Sequence, residues 1–308
     1  MIKRNLDSLA NREFDVLVIG GGIFGACAAW DAALRGLSVA LIERRDFGSG
    51  TSANSFKMVH GGIRYLQHAD VYRIRESSRE RNALLRIAPH LVSPLPVMIP
   101  TYGHGREGKE LLSAGMLLYD SVTLDRNRGL EDPDRRIPRC RILSRDDCLA
   151  ALPGLESRGL TGGALFHDGQ VHNTPRLVLA FLQSAASEGA VVANYVEANG
   201  FLRAGDAVTG VRARDTLTGD TMDIRGTVVL NCAGPWAERL LARADDVAVT
   251  PAGTFSRDTY FVVRKRWSAP WALAVQGRTS DPDAIVSRKA RHLFLVPWRD
   301  HTLVGVWH

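Results

Sequence analysis

Gly20, Gly22 and Gly25 form a G-x-G-x-x-G run directly after the apolar residues 15–19, and Glu43 closes a second apolar run at 39–42. These residue types at this spacing recognise a dinucleotide. Gly20 permits a tight turn, Gly22 lets the backbone approach a pyrophosphate, and Gly25 lets a helix lie close on a strand. The helix N-terminus then presents unpaired N–H groups and partial positive charge to the phosphates. Glu43 lies 18 residues past Gly25, where a carboxylate accepts hydrogen bonds from an adenosine ribose and repels a 2′-phosphate. A glycine-rich turn without a ligand would leave Glu43 unexplained.

Two further stretches carry candidate chemistry. After Glu43 comes a loop of small and hydroxylated residues containing Thr51, Ser52 and Ser55. It reads either as a set of N–H and O–H donors to the pyrophosphate or as a surface loop. Next comes His60-Gly61-Gly62-Ile63-Arg64-Tyr65-Leu66, where adjacent glycines point to close approach of the backbone to something flat or bulky. Much later, Ala233-Gly234-Pro235-Trp236 follows a buried run at 227–232. A glycine at the end of such a strand fits a ligand or a plain tight turn equally well.

The elements that must position these residues follow from period and punctuation. Residues 15–19 and 39–42 read as parallel strands around an alanine-rich helix at 26–34, which stops at Arg35-Gly36. Residues 1–13 read as a mobile polar lead-in. Helices are expected over 70–89 and 109–124, extended pieces over 89–100 punctuated by Pro89, Pro94, Pro96 and Pro100, and an exposed connection over 126–141. Ser144 and Asp147 suggest a capping box, and Thr174-Pro175 a helix start with Thr174 as the cap. A strand at 190–195, a hairpin of 208–214 with 222–225, and a separate strand at 227–232 complete the middle of the chain. The alternating runs at 260–263, 272–275, 293–296 and 303–306 suggest an antiparallel sheet. The chain stops directly after the last of these, which reads as a cut within a domain.

Composition limits the functional classes. The 308 residues, 45% hydrophobic and 23% charged, suit a soluble protein of two domains. The net charge of +6 comes with five lysines and 34 arginines. That excess fits an anionic substrate, an anionic membrane surface, or codon usage in a GC-rich genome. No basic block interleaves with aromatics, so nucleic acid is excluded as a partner. Cys27, Cys140, Cys148 and Cys232 are scattered, as reduced cytosolic thiols are, and suggest neither a disulfide framework nor a metal site. No signal-peptide core and no apolar run near ~18 residues is present.

The chain resembles the FAD-dependent glycerol-3-phosphate dehydrogenases, within the wider group of D-amino-acid and sarcosine oxidases. The resemblance rests on residues 18–25, Thr51-Ser52-Ala53-Asn54-Ser55-Phe56-Lys57, the His60–Leu66 run, Ala88-Pro89-His90-Leu91, Asp168 with Val171, residues 176–180, Asn231-Cys232-Ala233-Gly234-Pro235-Trp236, Pro297-Trp298 and Leu303-Val304-Gly305. It implies an α/β fold: a Rossmann-like FAD-binding domain (1–75 and 155–250) and an α+β substrate domain with an antiparallel sheet (76–154 and 251–308). It implies FAD, not NAD, held by Gly20, Gly22, Gly25, Glu43, Thr51, Ser52, Ser55 and Lys57. Gly61 and Gly62 would lie near the flavin ring, and Ala233-Gly234 would return to the pyrophosphate.

The implied reaction oxidises the C2 hydroxyl of sn-glycerol 3-phosphate, with a membrane quinone taking the electrons. The setting would be cytoplasmic, with peripheral contact on the cytoplasmic face of the membrane. Arg64 and Tyr65 would lie near the substrate, Arg64 as a bidentate phosphate ligand, and His60 is the candidate base or orienting group. A solvated Arg64 and a structural His60 are the competing readings. Two stretches depart from the family: Arg257-Asp258-Thr259-Tyr260 replaces Lys-Gly-Ser/Thr-His, and Gly305-Val306-Trp307-His308 replaces Gly-Thr-Thr-Asp. Both lie on the substrate side, so an amine or amino-acid oxidase of the same fold is the alternative. A truncated FAD-binding module without turnover is the third reading.

Overall fold

The computed structural model describes residues 2–104, 108–243, 257–265, 267–276 and 292–307. His308 and residues 251–256 of the expected second domain therefore lie outside the described residues. The chain divides into one unit of Met1–Ser55 with Asn173–Ser256, and another of Phe56–His172 with Arg257–His308.

In the first unit the opening residues are anchored, contrary to the expected mobile lead-in. α1 (Leu6–Asn11) is capped by Asn5, whose side chain accepts from the Ser8 amide, and it buries Leu9 completely. Arg4 pairs with the buried Asp215 and donates to the Asn194 carbonyl. β1 (Glu13–Ile19), α2 (Ile23–Leu34) and β2 (Val39–Glu43) then form the expected parallel βαβ unit. β1 and β2 read as nearly continuous burial because helices cover the parallel part of the sheet.

In the second unit β3 (Met58–Val59) precedes α3 (Val71–Ile87), whose cap is Asp70. β4 (Val92–Tyr102) is one continuous strand, not a set of extended pieces. Pro94, Pro96 and Pro100 alternate along it, so their missing N–H groups all fall on one edge. That edge must face away from β6 (Leu160–Val171), with which β4 pairs along its length. On the other side, among the described residues, β12 (Ala272–Gln276) pairs with β4 at Val97 and Met98. α4 (Lys109–Val122) follows, and the stretch after it is less exposed than expected, since Arg126, Leu130 and Ile137 are buried. β5 (Arg141–Leu143) and α5 (Arg145–Ala151), with both halves of the Ser144–Asp147 capping box, precede β6. With β11 (Thr259–Arg264), β13 (His292–Trp298) and β14 (His301–Trp307), these strands build an eight-stranded sheet in the order β11-β14-β13-β12-β4-β6-β3, with β5 on β6. Leu95, Val97, Ala164, Phe166, Ala274, Val296 and Leu303 form a core on one side of it.

The chain returns to the first unit through α6 (Thr174–Ser187). Its cap is Asn173, not Thr174, because the Asn173 side chain accepts from the Arg176 amide. α6 packs on α2, with Trp30 and Phe181 edge to face at 5.3 Å. β7 (Val191–Asn194), β8 (Val196–Ala204), β9 (Ala207–Asp215) and β10 (Thr221–Asn231) finish the sheet in the order β7-β2-β1-β10-β9-β8. The hairpin strand and the buried strand expected separately at 222–225 and 227–232 are one strand. Its first half pairs antiparallel with β9, and from Arg225 it pairs parallel with β1. α7 (Ala237–Leu241) ends the described part of this unit before residue 257.

The unit boundaries differ from the expected domain boundaries. Residues 56–75 and 155–172 belong to the second unit because β3 pairs with β6, and β6 pairs with β4. The α/β class stands as expected, with helices on a mixed sheet in one unit, parallel from β7 to β10 and antiparallel from β10 to β8, and a mostly antiparallel sheet in the other.

Two glycines test how α2 and α4 are held. A Cβ on Gly25 would lie 1.9 Å from the Gly20 carbonyl oxygen, whereas one on Gly115 in α4 would meet nothing within 4 Å. Gly25→Ala is expected to destabilise by roughly 3 kcal/mol, and Gly115→Ala to stabilise by about 0.5–1 kcal/mol. Urea unfolding midpoints of the two variants check both signs.

Candidate active site

The first unit holds a groove of about 410 Å³ at the C-terminal ends of β1 and β2, where doubly wound sheets bind ligands. Gly20, Gly22, Glu43, Thr51, Ser52, Ser55, Ala233 and Gly234 line it. The sequence thus marks eight residues that three separate stretches bring together. Gly25 lies beneath them, where its missing side chain admits the Gly20 carbonyl. Gly20 itself has φ +112°, and a Cβ there would lie 2.5 Å from the Cys232 carbonyl oxygen. This crossing of backbones joins the first glycine turn to the Ala233-Gly234 turn.

The polar groups of the groove are already ordered. Glu43 Oε2 accepts from the Gly21 amide at 2.8 Å, and its Oε1 accepts from the Arg45 amide at 2.8 Å. Each oxygen keeps a lone pair, so the carboxylate can still take a diol. Ser52 Oγ accepts from the Ile23 amide at 2.9 Å and so ties the hydroxylated loop to the start of α2. Sequence reasoning missed other parts of the lining, Arg44, Arg45, Arg239 and Arg243 with Val196, beside Trp236 of the Ala233–Trp236 run. The Arg44 guanidinium lies 4.8 Å over the Trp236 ring. No local pattern marks the arginines, because only the folded sheet brings them together. A glycine cradle, the Glu43 carboxylate and four arginines, one of them (Arg243) paired with the second lining acid Glu197, fit a ligand with a diphosphate, a ribose and a planar base, as FAD is.

The second unit holds a separate cluster around Asp168. This carboxylate is 1% exposed. Its Oδ2 takes the His60 Nδ1 hydrogen bond at 2.9 Å, and its Oδ1 accepts from the Gly61 amide at 2.7 Å and from Arg81 Nη1 at 3.3 Å. Arg81 is fully buried and also donates to the His167 carbonyl at 2.7 Å. Tyr119 Oη donates to the Gly61 carbonyl at 2.9 Å. Burial opposes ionisation of Asp168, but the bond and charge of His60, the charge of Arg81 and the Gly61 amide hold its carboxyl below the usual range. The atoms crowded around the ring disfavour the charged His60, although about half of its side-chain surface is open, and the hydrogen bond and charge of Asp168 prevail and raise it. Burial pushes the Tyr119 phenol up to about 12, so it stays a donor. Burial and the Arg81 charge push His167 down to about 4.

Of the other residues singled out in the sequence, Arg64 is exposed and Gly62 is buried with φ +82°. Tyr65 lies under the Arg73 guanidinium at 5.7 Å. Lys57 is buried, with Nζ 5.3 Å from the Trp298 ring centroid. The Phe294 ring stands 6.1 Å from His60. Tyr260 stands edge to face with Phe56 at 5.5 Å. Arg81, Tyr119 and Phe294 carried no signal in the sequence. Asp168 was a point of resemblance without a role, since its strand was not recognised.

A family model described as "FAD dependent oxidoreductase" matches residues 15–306. A glycerol-3-phosphate dehydrogenase of Synechocystis is 36% identical over 98% of this chain and 53% of its own length. The mitochondrial glycerol-3-phosphate dehydrogenase of Bos taurus is 37% identical over 95% of this chain and 39% of its own. The chain thus spans about half or less of the length of these relatives. The crystal structure of the glycerol-3-phosphate dehydrogenase from Bacillus halodurans complexed with FAD superposes with a TM-score of 0.69 at 26% identity. The match covers 98% of this chain and 48% of that one.

The groove makes Glu43 a direct test of nucleotide binding. Glu43→Ala removes the acceptor of two backbone amides, and it is expected to weaken FAD binding by at least about tenfold. Quenching of FAD fluorescence on titration with the apoprotein measures the change.

Proposed function

The chain belongs to the FAD-dependent oxidoreductase family, and from that membership we propose that the protein oxidises the C2 hydroxyl of sn-glycerol 3-phosphate, or of a close phosphorylated polyol, to the ketone. The observation that carries this reading is His60, whose Nδ1 is committed to the ionised, buried Asp168 while 56% of its side-chain surface stays open. An ionised carboxylate can only accept, so in the neutral ring the proton sits on Nδ1 and Nε2 keeps its lone pair. An imidazole in that state takes a proton from an alcohol. Four residues further on, the exposed Arg64 offers the two-pronged donor that a phosphomonoester needs. The names of the relatives support the substrate class.

In this reading Gly20, Gly22, Thr51, Ser52, Ser55, Ala233 and Gly234 hold the FAD diphosphate, and Glu43 holds the ribose. Bound flavin supplies a hydride acceptor. Arg64 fixes the substrate by its phosphate, with Tyr65 beside it. His60 Nε2 removes the hydroxyl proton as the C2 hydride departs, which leaves the carbonyl. Lys57, Gly61 and Gly62 are the residues we assign to the flavin ring. A membrane quinone is the acceptor we assign to the electrons, with the protein on the cytoplasmic face of the membrane. Among the described residues no helix is long and apolar enough to cross a membrane, and the membrane contact we assign is peripheral.

Anaerobic addition of sn-glycerol 3-phosphate to the FAD-reconstituted protein is expected to bleach the visible flavin band. His60→Gln should slow that bleaching by about 10²–10⁴-fold, and Arg64→Ala should act on apparent substrate affinity. A flavin that stays oxidised with this substrate but bleaches with an amine would transfer the assignment to the amine oxidases.

A further inference from the structure

We propose that Asp168, braced by Arg81 and Tyr119, is the positioning residue of the reaction: it fixes the tautomer and orientation of His60 and locks the His60–Gly61 backbone beneath it. The inference rests on the reading of His60 as the base that takes the substrate's hydroxyl proton.

Two donors from consecutive residues converge on one carboxylate, the His60 ring on Oδ2 and the Gly61 amide on Oδ1. The His60 ring cannot swing without leaving Asp168, and the backbone that carries it cannot shift without breaking the second bond. The Gly61 carbonyl is held from the other side by Tyr119 Oη. Both polar groups of one residue are thus tied to side chains from two distant elements, β6 and α4. Gly61 must lack a side chain for this to happen. A Cβ there would lie 1.9 Å from Arg81 Nη1 and 2.5 Å from Tyr119 Oη. Gly61 therefore has an internal reason, since its backbone is pressed against a buried arginine and a phenol.

Arg81 explains how Asp168 stays ionised. A carboxylate almost wholly removed from water needs a counter-charge and several donors. Arg81 supplies the charge through Nη1, which also reaches Tyr119 Oη at 3.3 Å and the His167 carbonyl. The charged groups that set the titration of His60 are Asp168 from β6, Arg81 from α3 and Arg64 from the turn after Gly62, while Tyr119 of α4 reaches it only through Gly61 and Arg81. Phe294 of β13 contributes an uncharged ring. Asp168 is the one negative charge among these, so its loss leaves His60 between two arginines. A purely structural Asp168–Arg81 pair would matter for stability alone and would leave the proton chemistry of His60 as it is in a free imidazole.

Nitrogen-15 NMR of the histidine rings in the FAD-loaded protein separates the two, with the His60 signals assigned by their loss in His60→Gln. In the wild type, neutral His60 is expected to carry its proton on Nδ1. Its titration should lie above the ordinary histidine value. Asp168→Asn should lower that titration by about one to three pH units. The acid limb of the pH profile for flavin reduction should move down by the same amount. A neutral His60 protonated on Nε2 in the wild type would overturn the proposal without any variant, so it stays testable if Asp168→Asn fails to fold. An unmoved His60 titration in folded Asp168→Asn would overturn it as well. The NMR readout needs no substrate. Lack of turnover with sn-glycerol 3-phosphate beside an Nδ1-protonated His60 would therefore refute the functional reading while supporting Asp168 as the group that holds the ring.

Discussion

The nucleotide-binding half of this protein depends on a contact between two backbones. The Gly20 carbonyl occupies the space where a side chain at residue 25 would begin. Neither partner can move aside as a side chain would, so the approach of α2 to β1 is set by chain geometry rather than by packing preferences. The same turn passes against the Cys232 carbonyl, which aligns the end of β10 with the end of β1. The groove exists because three stretches of chain meet at this crossing. Their polar side chains, Glu43 and Ser52, then tie the turn and the hydroxylated loop together through backbone amides.

The two polar clusters solve opposite electrostatic problems. The groove is open and rich in arginine, so its charges remain hydrated until an anion arrives. The Asp168 cluster is sealed. Its carboxylate and the Arg81 guanidinium are both out of water, and Arg81 Nε and Nη2 make no hydrogen bond to the protein. Such a pair is a poor source of stability compared with apolar packing. Its retention in the middle of the second unit makes sense where a nearby group must be held in one protonation state.

Legibility in the sequence followed the range of the interactions. The βαβ unit was readable because its strand, turn, helix and acid are contiguous, and period and glycine spacing are local signals. The late strands were readable from alternation. β6 was not, because Gly162, Gly163 and Gly169 give it the composition of a loop, although it is the strand that carries Asp168. β4 was broken up by its prolines, which a strand tolerates once they share an unpaired edge. α1 was too short for a periodic signal, and its Arg4–Asp215 anchor spans most of the chain. The candidate site divides in the same way. Glycines and the ribose acid have sequence signatures, whereas Arg81, Tyr119 and the groove arginines acquire their roles only by folding.

The parallel pairing of β1 with β10 has a consequence for how the chain is made. Val16 lies opposite Val228, so β1 leaves the ribosome long before its partner on that side exists. At ordinary translation rates the delay is about 10–40 s. β2 can cover one edge of β1 almost at once, but the other edge stays unpaired while the whole first segment of the second unit is synthesised. An apolar strand with a free edge over that interval is a template for wrong pairing. Protection of the nascent chain over that interval therefore bears on the yield of this unit, separately from the stability of the finished sheet.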